Sequence, residues 1–250
     1  WTTTFVLIGC LTLVAAFFVR NFVKDGPAGV ETHETLTDSL RVLKDLLQHS
    51  ELRRCFAMAF CFAGPFMTLG GLWVGPYLRD IYKMDDTTAS AVILAMVLAY
   101  NIGALVYGSL DRLLGTRKWL VLGGAATTIL TYGYFIFDLS PPLPIAIGLL
   151  VTGSLSGPYF IPLTAHCRGF VPTSRAGRTV TMMALVGITG IFFMQWVTGL
   201  VIDAFGGTVG ENAHTGYILV FAIPVTLLVL CSLIYLPIRD VNAHHHVSPD

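Results

Sequence analysis

The stretch Gly108-Ser-Leu-Asp-Arg-Leu-Leu-Gly-Thr-Arg-Lys118 decides how this chain is read, because its charged residues stand between two long uncharged segments. Ser90–Leu110 before it and Trp119–Phe137 after it contain no Asp, Glu, Lys or Arg. Each exceeds the roughly 18 residues that mark a helix long enough to cross the hydrocarbon core of a bilayer. The island therefore reads as a tight turn between two membrane helices. Its glycines permit the reversal, Asp111 suits a neighbouring helix N-terminus, and Arg112, Arg117 and Lys118 suit anionic headgroups.

The same pattern extends in both directions. Charge-free spans run over Trp1–Val19, Phe56–Leu78, Ser90–Leu110, Trp119–Phe137, Leu143–Thr164, Thr179–Ile202 and Tyr217–Leu236, and every charged residue falls outside them. A charge at the bilayer centre costs about 2.5–3.5 kcal/mol on insertion scales, so this segregation is what lipid burial demands. Composition agrees: 54% of residues are hydrophobic, 12% are charged, and the mean hydropathy is +0.72. The expected fold is all-α, a polytopic membrane protein with seven transmembrane helices. The first span is too long for a secretory signal and begins without a basic flank, so the chain reads as truncated at its start.

Thirteen of the 15 Lys and Arg residues lie in loops on one side, and only Arg79 and Lys83 lie on the other. The positive-inside rule then places the island and the C-terminus in the cytoplasm, in the inner (plasma) membrane. The net charge of zero conceals this asymmetry. The basic residues are scattered over helix ends, which excludes a nucleic-acid-binding face.

The longest interruption, residues 20–50, contains Leu36, Leu40, Leu43 and Leu47 at helical spacing beside Asp38, Arg41, Lys44 and Asp45. That pattern predicts an amphipathic helix, either lying on the membrane surface or set in a solvated linker. The chain divides into four regions: a lone helix over 1–19, this loop over 20–50, a six-helix bundle over 51–238 and a tail over 239–250. Within the bundle, Ala91, Ala95, Ala99 and Gly103 form a small-residue stripe, and Gly153 and Gly157 a GxxxG pair, both suited to close helix approach. Gly64-Pro65, Gly70-Gly71, Pro158 and Pro162 predict bends. Tyr217–Leu236, apolar all round, predicts a lipid-facing helix with little chemistry. The five cysteines, without a CxxC pair, read as small buried residues.

Gly108, Asp111, Arg112, Gly115, Arg117 and Lys118 resemble the loop G-x-x-x-D-R-x-G-R-K that joins the second and third helices of each half in the major facilitator superfamily. The spacing differs by one residue on either side of Asp111, which leaves Asp111 and Arg112 as the matching pair and Gly115 as a turn residue. "GRTVTMMALVGITGIFFMQWVTGLVID" resembles the family's eleventh helix and "WTTTFVLIGCLTLVAAFFV" its sixth. The resemblance implies a C-terminal half, from the sixth to the twelfth helix, with the first five helices missing as a partner. It also implies that Gly108, Asp111, Arg112, Arg117 and Lys118 form a gating loop. The alternative for that loop is a positive-inside tether.

By the same resemblance the chain is expected to be part of a secondary active transporter of a small solute, inactive as a fragment, and not an enzyme. Its second, third, fifth and sixth spans would line a central cavity. The polar and aromatic residues there are Trp73, Tyr77, Asn101, Ser154, Ser156, Tyr159 and Gln195. Trp73 and Tyr77 share a helix face, with an interfacial aromatic belt as the alternative reading. Asn101 and Gln195 also fit interhelical hydrogen bonding. No ionisable Asp, Glu, Lys or Arg falls inside a span, so any coupling carboxylate is expected in the missing half.

Two rival readings carry less. A seven-helix receptor fits the span count, but the long basic loop after the first span and the absence of a Lys within any span argue against it. Ser156 and His166 superficially resemble an intramembrane protease dyad, yet on one continuous helix they stand about 15 Å apart, where about 3 Å is needed. No cofactor and no metal site is expected; His244–His246 reads as a polar tail.

Overall fold

The computed structural model describes residues 2–22, 48–205 and 213–240. The predicted surface helix around Leu36–Leu47 and the His244–His246 tail lie outside the described residues. Among those described, seven helical segments are long and apolar enough to cross a membrane, in agreement with the all-α reading. Helix α1 (Thr2–Phe22) belongs to one compact unit, and everything from the second span onward belongs to another. No residue of α1 is buried. Its Thr12 and Asn21 side chains donate back to the carbonyls of Ile8 and Phe17, each at 2.8 Å, which satisfies these donors within the helix, as a lipid surrounding requires.

The second span is assembled from α2 (Ser50–Phe60), α3 (Gly64–Thr68), a π turn (Leu69–Trp73) and α4 (Val74–Tyr82). The bends expected from Gly64-Pro65 and Gly70-Gly71 are both present. Pro65 has no N–H to offer the carbonyl of Cys61 four residues earlier. The Tyr159 hydroxyl, from the fifth span, donates to that carbonyl at 2.6 Å instead. Gly64 sits against Met194, where a Cβ would collide with the thioether.

The third span is α5 (Asp86–Leu114), with Asp85 as its N-cap, accepting the N–H groups of Thr87 and Thr88 at 3.0 and 3.1 Å. It ends at Gly115, whose φ of 62° and ψ of 11° place it in the left-handed region that terminates helices. The fourth span is α6 (Arg117–Phe137). The fifth consists of α7 (Leu143–Ser156), a short 3-10 segment (Gly157–Tyr159) and α8 (Phe160–Arg168). Pro158, at φ −72° and ψ 23°, makes the expected bend there, whereas Pro162 lies in the first turn of α8, where its missing N–H costs nothing. The sixth and seventh spans are α9 (Thr173–Ala204) and α10 (Ala213–Tyr235).

In the second unit, α5 packs along α7, α6 along α7 and α10, and α9 along α2 and α10. The seam of α5 corrects the expected small-residue stripe. Ala89, Val92, Met96, Ala99, Gly103 and Tyr107 are buried, whereas Ala91 is exposed and Ala95 half-buried. A helix turns once every 3.6 residues, so a stripe at strict four-residue spacing drifts off the contact face. Gly103 is a point of close approach: a Cβ there would run into the Leu155 carbonyl. The GxxxG pair behaves as expected, with Gly153 against Tyr132 and Gly157 against the ring of Tyr100.

Helix α10 departs from its lipid-facing expectation, because one face buries Tyr217, Val220, Phe221, Val225, Leu228 and Tyr235. Phe221 stacks on Phe135 at 4.7 Å, and Tyr77 meets Tyr82, Phe135, Tyr217 and Phe221 edge-on at 5.4–5.9 Å. Four of the cysteines are buried as expected, and Cys10 is exposed. Tertiary packing additionally brings Cys61 and Cys231 together, sulfur to sulfur at 3.4 Å.

Candidate functional site

The island end gathers more polar contacts than its own residues account for. Asp111 pairs with Arg117 across the turn, Oδ1 to Nε at 3.3 Å, and Arg117 Nη1 reaches the carbonyl of Ala165 near the end of α8 at 3.3 Å. Gly108 stands in open space and Arg112 is exposed. Lys118 lies 5.2 Å from the ring centroid of Trp119, a cation–π distance. Gly115 supplies the backbone reversal that lets Asp111 and Arg117 meet.

Three residues join this network through contacts that the sequence does not announce. Asp240 accepts from the hydroxyl of Thr116 and from the N–H groups of Arg117 and Lys118, at 3.2 and 3.1 Å for the two N–H groups. It therefore caps α6 from the far end of the chain. Partial burial pushes its carboxyl up, but these hydrogen bonds outweigh burial and hold it below the usual carboxylate range. His166, named above only in the rejected dyad, is fully buried; its Nδ1 pairs with the Tyr235 hydroxyl at 2.6 Å and its Nε2 with the Arg239 carbonyl at 2.9 Å. Glu51, just outside the charge-free window, is buried in the first turn of α2. It accepts from Arg54 at 3.0 Å and from the Arg239 N–H at 3.2 Å. The capping pattern of Asp240 has no local signature, because its partners are in another helix.

The protease reading falls on this geometry. The fifth span does break between Ser156 and His166, yet the Ser156 hydroxyl bonds to the Gly153 carbonyl at 3.0 Å and lies 2.9 Å from the Thr128 hydroxyl. His166 is held elsewhere, by α10 and the segment after it.

The seven expected solute-facing residues divide by burial. Tyr77, Ser154 and Tyr159 are 0%, 0% and 1% exposed, and their hydroxyls bond to the Leu139 carbonyl, the Leu150 carbonyl and the Cys61 carbonyl. Ser156 belongs with them. Trp73 is also buried, its indole N–H donating to Thr198 at 2.9 Å, so it and Tyr77 share a span but serve different neighbours. Asn101 is exposed, and its amide donates within its own helix, to the Val97 carbonyl. Gln195 is half-buried and donates to the Met67 carbonyl at 3.2 Å, joining the sixth span to the second just before the π turn. Met67, Gly71 and Leu72 form the exposed face of that broken segment.

The family model for the Major Facilitator Superfamily matches residues 55–248. The chain belongs to the Major Facilitator Superfamily. Its members are transporters rather than enzymes, and they move small solutes across a lipid membrane. Two solved structures share the fold. The POT family transporter PepTSo aligns with a TM-score of 0.57 at 15% identity, over 74% of this chain and 36% of that one. A D-xylose-proton symporter aligns with a TM-score of 0.50 at 13% identity, over 82% of this chain and 49% of that one. The chain thus spans between a third and a half of the transporters it resembles. No curated protein matches it in sequence. This multi-pass membrane protein is a member of the secondary transporter family.

Proposed function

We propose that this superfamily chain is the C-terminal half of a secondary active transporter, carrying the last helix of the other half, and that the whole moves a small solute by alternating access. The observation that carries this reading is coverage: 74% and 82% of this chain align with 36% and 49% of two transporters, which favours the size of one half. In this reading residues 1–19 are the lone helix, 20–50 the connecting loop, 51–238 the half-bundle and 239–250 the tail. The island end faces the cytoplasm of the inner membrane, as its share of the Lys and Arg residues favours.

Asn101 and Gln195 are the solute-facing members of the expected set, being the two that are not buried. Trp73, Tyr77, Ser154, Ser156 and Tyr159 brace the broken spans behind them through their hydrogen bonds to neighbouring helices and carbonyls. Asp111, Arg112, Arg117 and Lys118, with Gly108, form the gating loop, latched in this conformation by Asp111–Arg117. The opposite wall of the cavity, and any coupling carboxylate, belong to the partner half.

Reconstitution tests the reading. Proteoliposomes holding this chain alone, offered a panel of short peptides and pentoses, should accumulate no more solute than empty liposomes; selective uptake would falsify the half-transporter assignment. For orientation, a cysteine at Ser109 should react with a membrane-impermeant maleimide only after permeabilisation. Labelling in intact cells would reverse the topology.

A further inference from the structure

A cavity of about 380 Å³ opens between the start of α6, the end of α8 and the start of α9. Arg117 and Arg168 both line it, and no carboxylate does; Ala165, Gly169 and Ala176 keep the space between them clear. Arg117 is held rigidly, with Nε on Asp111 and Nη1 on the Ala165 carbonyl, which leaves Nη2 for a ligand. The exposed Arg168 side chain makes no hydrogen bond or ion pair among the described residues. Thr173, the first residue of α9, adds a hydroxyl and a backbone N–H that the helix itself cannot use.

Three acidic groups belong to this end, and each is committed, Glu51 to Arg54 and the Arg239 N–H. Asp111 neutralises the Nε side of Arg117, and Asp240 is taken up by the first turn of α6. The cavity wall therefore presents the free Nη2 edge of Arg117 and the whole Arg168 guanidinium, with no carboxylate among the lining residues. A planar fork of N–H groups matches tetrahedral oxyanions, and Arg outperforms Lys where two oxygens are gripped together. Nothing in the proposed solute path or gating latch uses Arg168 or Thr173.

We propose that this cavity is a phosphate-binding site at the island end of the bundle, gripping the oxygens of a phosphate group between Arg117 and Arg168. A lipid headgroup phosphodiester and a soluble phosphate present the same oxygens to it. Occupancy ties α6, α8 and α9 together, so the bound anion stabilises the arrangement described here.

The test uses the full 250-residue chain, the Arg168→Gln variant and, as a control at the opposite end, Arg79→Gln. Because Arg168 is exposed and braces no other residue, its variant should melt like the parent in phosphate-free detergent at fixed ionic strength. Inorganic phosphate is titrated by thermal shift. Retained lipid is read by native mass spectrometry from nanodiscs of phosphatidylcholine with or without phosphatidylglycerol. A phosphate-dependent rise in melting temperature, weakened about tenfold in affinity by Arg168→Gln and untouched by Arg79→Gln, identifies a soluble phosphate; a tenfold change corresponds to about 1.4 kcal/mol. Selective retention of phosphatidylglycerol, lost in Arg168→Gln and with no response to inorganic phosphate, identifies a lipid. Binding of both probes by Arg168→Gln as well as by the parent, an equal loss in Arg79→Gln, or no binding of either probe overturns the proposal.

Discussion

Asp240 accepts the backbone N–H of Lys118 at 3.1 Å across 122 positions of sequence, and with the N–H of Arg117 it supplies the cap that α6 lacks locally. Thr116, which precedes the helix, makes no capping bond to it; its hydroxyl points to Asp240 instead. The turn that announced a membrane protein in the sequence is thus finished by a residue that lies beyond the last helix.

Replacing Asp240 by Ala should lower stability by about 1 kcal/mol, the usual loss for a removed cap. The pH dependence has a definite sign. The folded carboxyl is held below its unfolded value, so its contribution is complete above the ordinary carboxylate range and disappears as pH falls through the folded value. Melting temperatures in detergent between neutral and acid pH should converge for parent and variant at low pH. Equal gaps at all pH values would show that Asp240 does not act as a charged cap.

At Gly103, substitution by Ala should push α5 away from α7, because the added carbon meets the backbone carbonyl of Leu155, which cannot rotate aside. Overpacking of this kind costs about 1–3 kcal/mol. Gly108→Ala on the same helix, with nothing within 4 Å, is the matched control and should leave the melting temperature unchanged or slightly raised.

Gly115→Ala should destabilise by about 1 kcal/mol through the left-handed backbone alone, since no atom crowds the position. Gly115→Asn should recover part of the loss, as Asn tolerates that conformation better. Identical melting temperatures for the two variants would separate this position from helix termination.

Cys61 and Cys231, with sulfurs 3.4 Å apart, should form a disulfide on treatment of membranes with a lipid-soluble oxidant such as molecular iodine. Intact-mass measurement should show the loss of two hydrogens, and peptide mapping should place the bond between the second and seventh spans. Cys61→Ser should abolish it. A bond mapped instead to Cys10 would contradict the packing.

His166→Ala should cost about 1–3 kcal/mol, because it strands the buried Tyr235 hydroxyl and removes the partner of the part-buried Arg239 carbonyl. His166→Gln, which keeps a donor and an acceptor, should lose less. A Tyr235→Phe, His166→Ala double variant should show less than the summed losses if the pair acts as one unit.

The sequence by itself determined the membrane class, the seven spans, the polar turn at 108–118 and the bends at Pro65 and Pro158. These depend on requirements written along a single segment: a charge-free length to match the bilayer, a missing proline N–H, a glycine where the helix must end. Only the tertiary structure decided which polar residues are braces and which are accessible. Tyr159 and Asn101 look equally promising as letters, yet one hydroxyl completes the carbonyl freed by Pro65 while the other side chain lies exposed. Likewise Glu51, His166 and Asp240 enter the island-end network through contacts between distant helices, which leave no periodic trace in the chain. The bilayer acts on each helix separately and is legible in sequence; the pairing of helices acts between them and becomes visible only once they are packed.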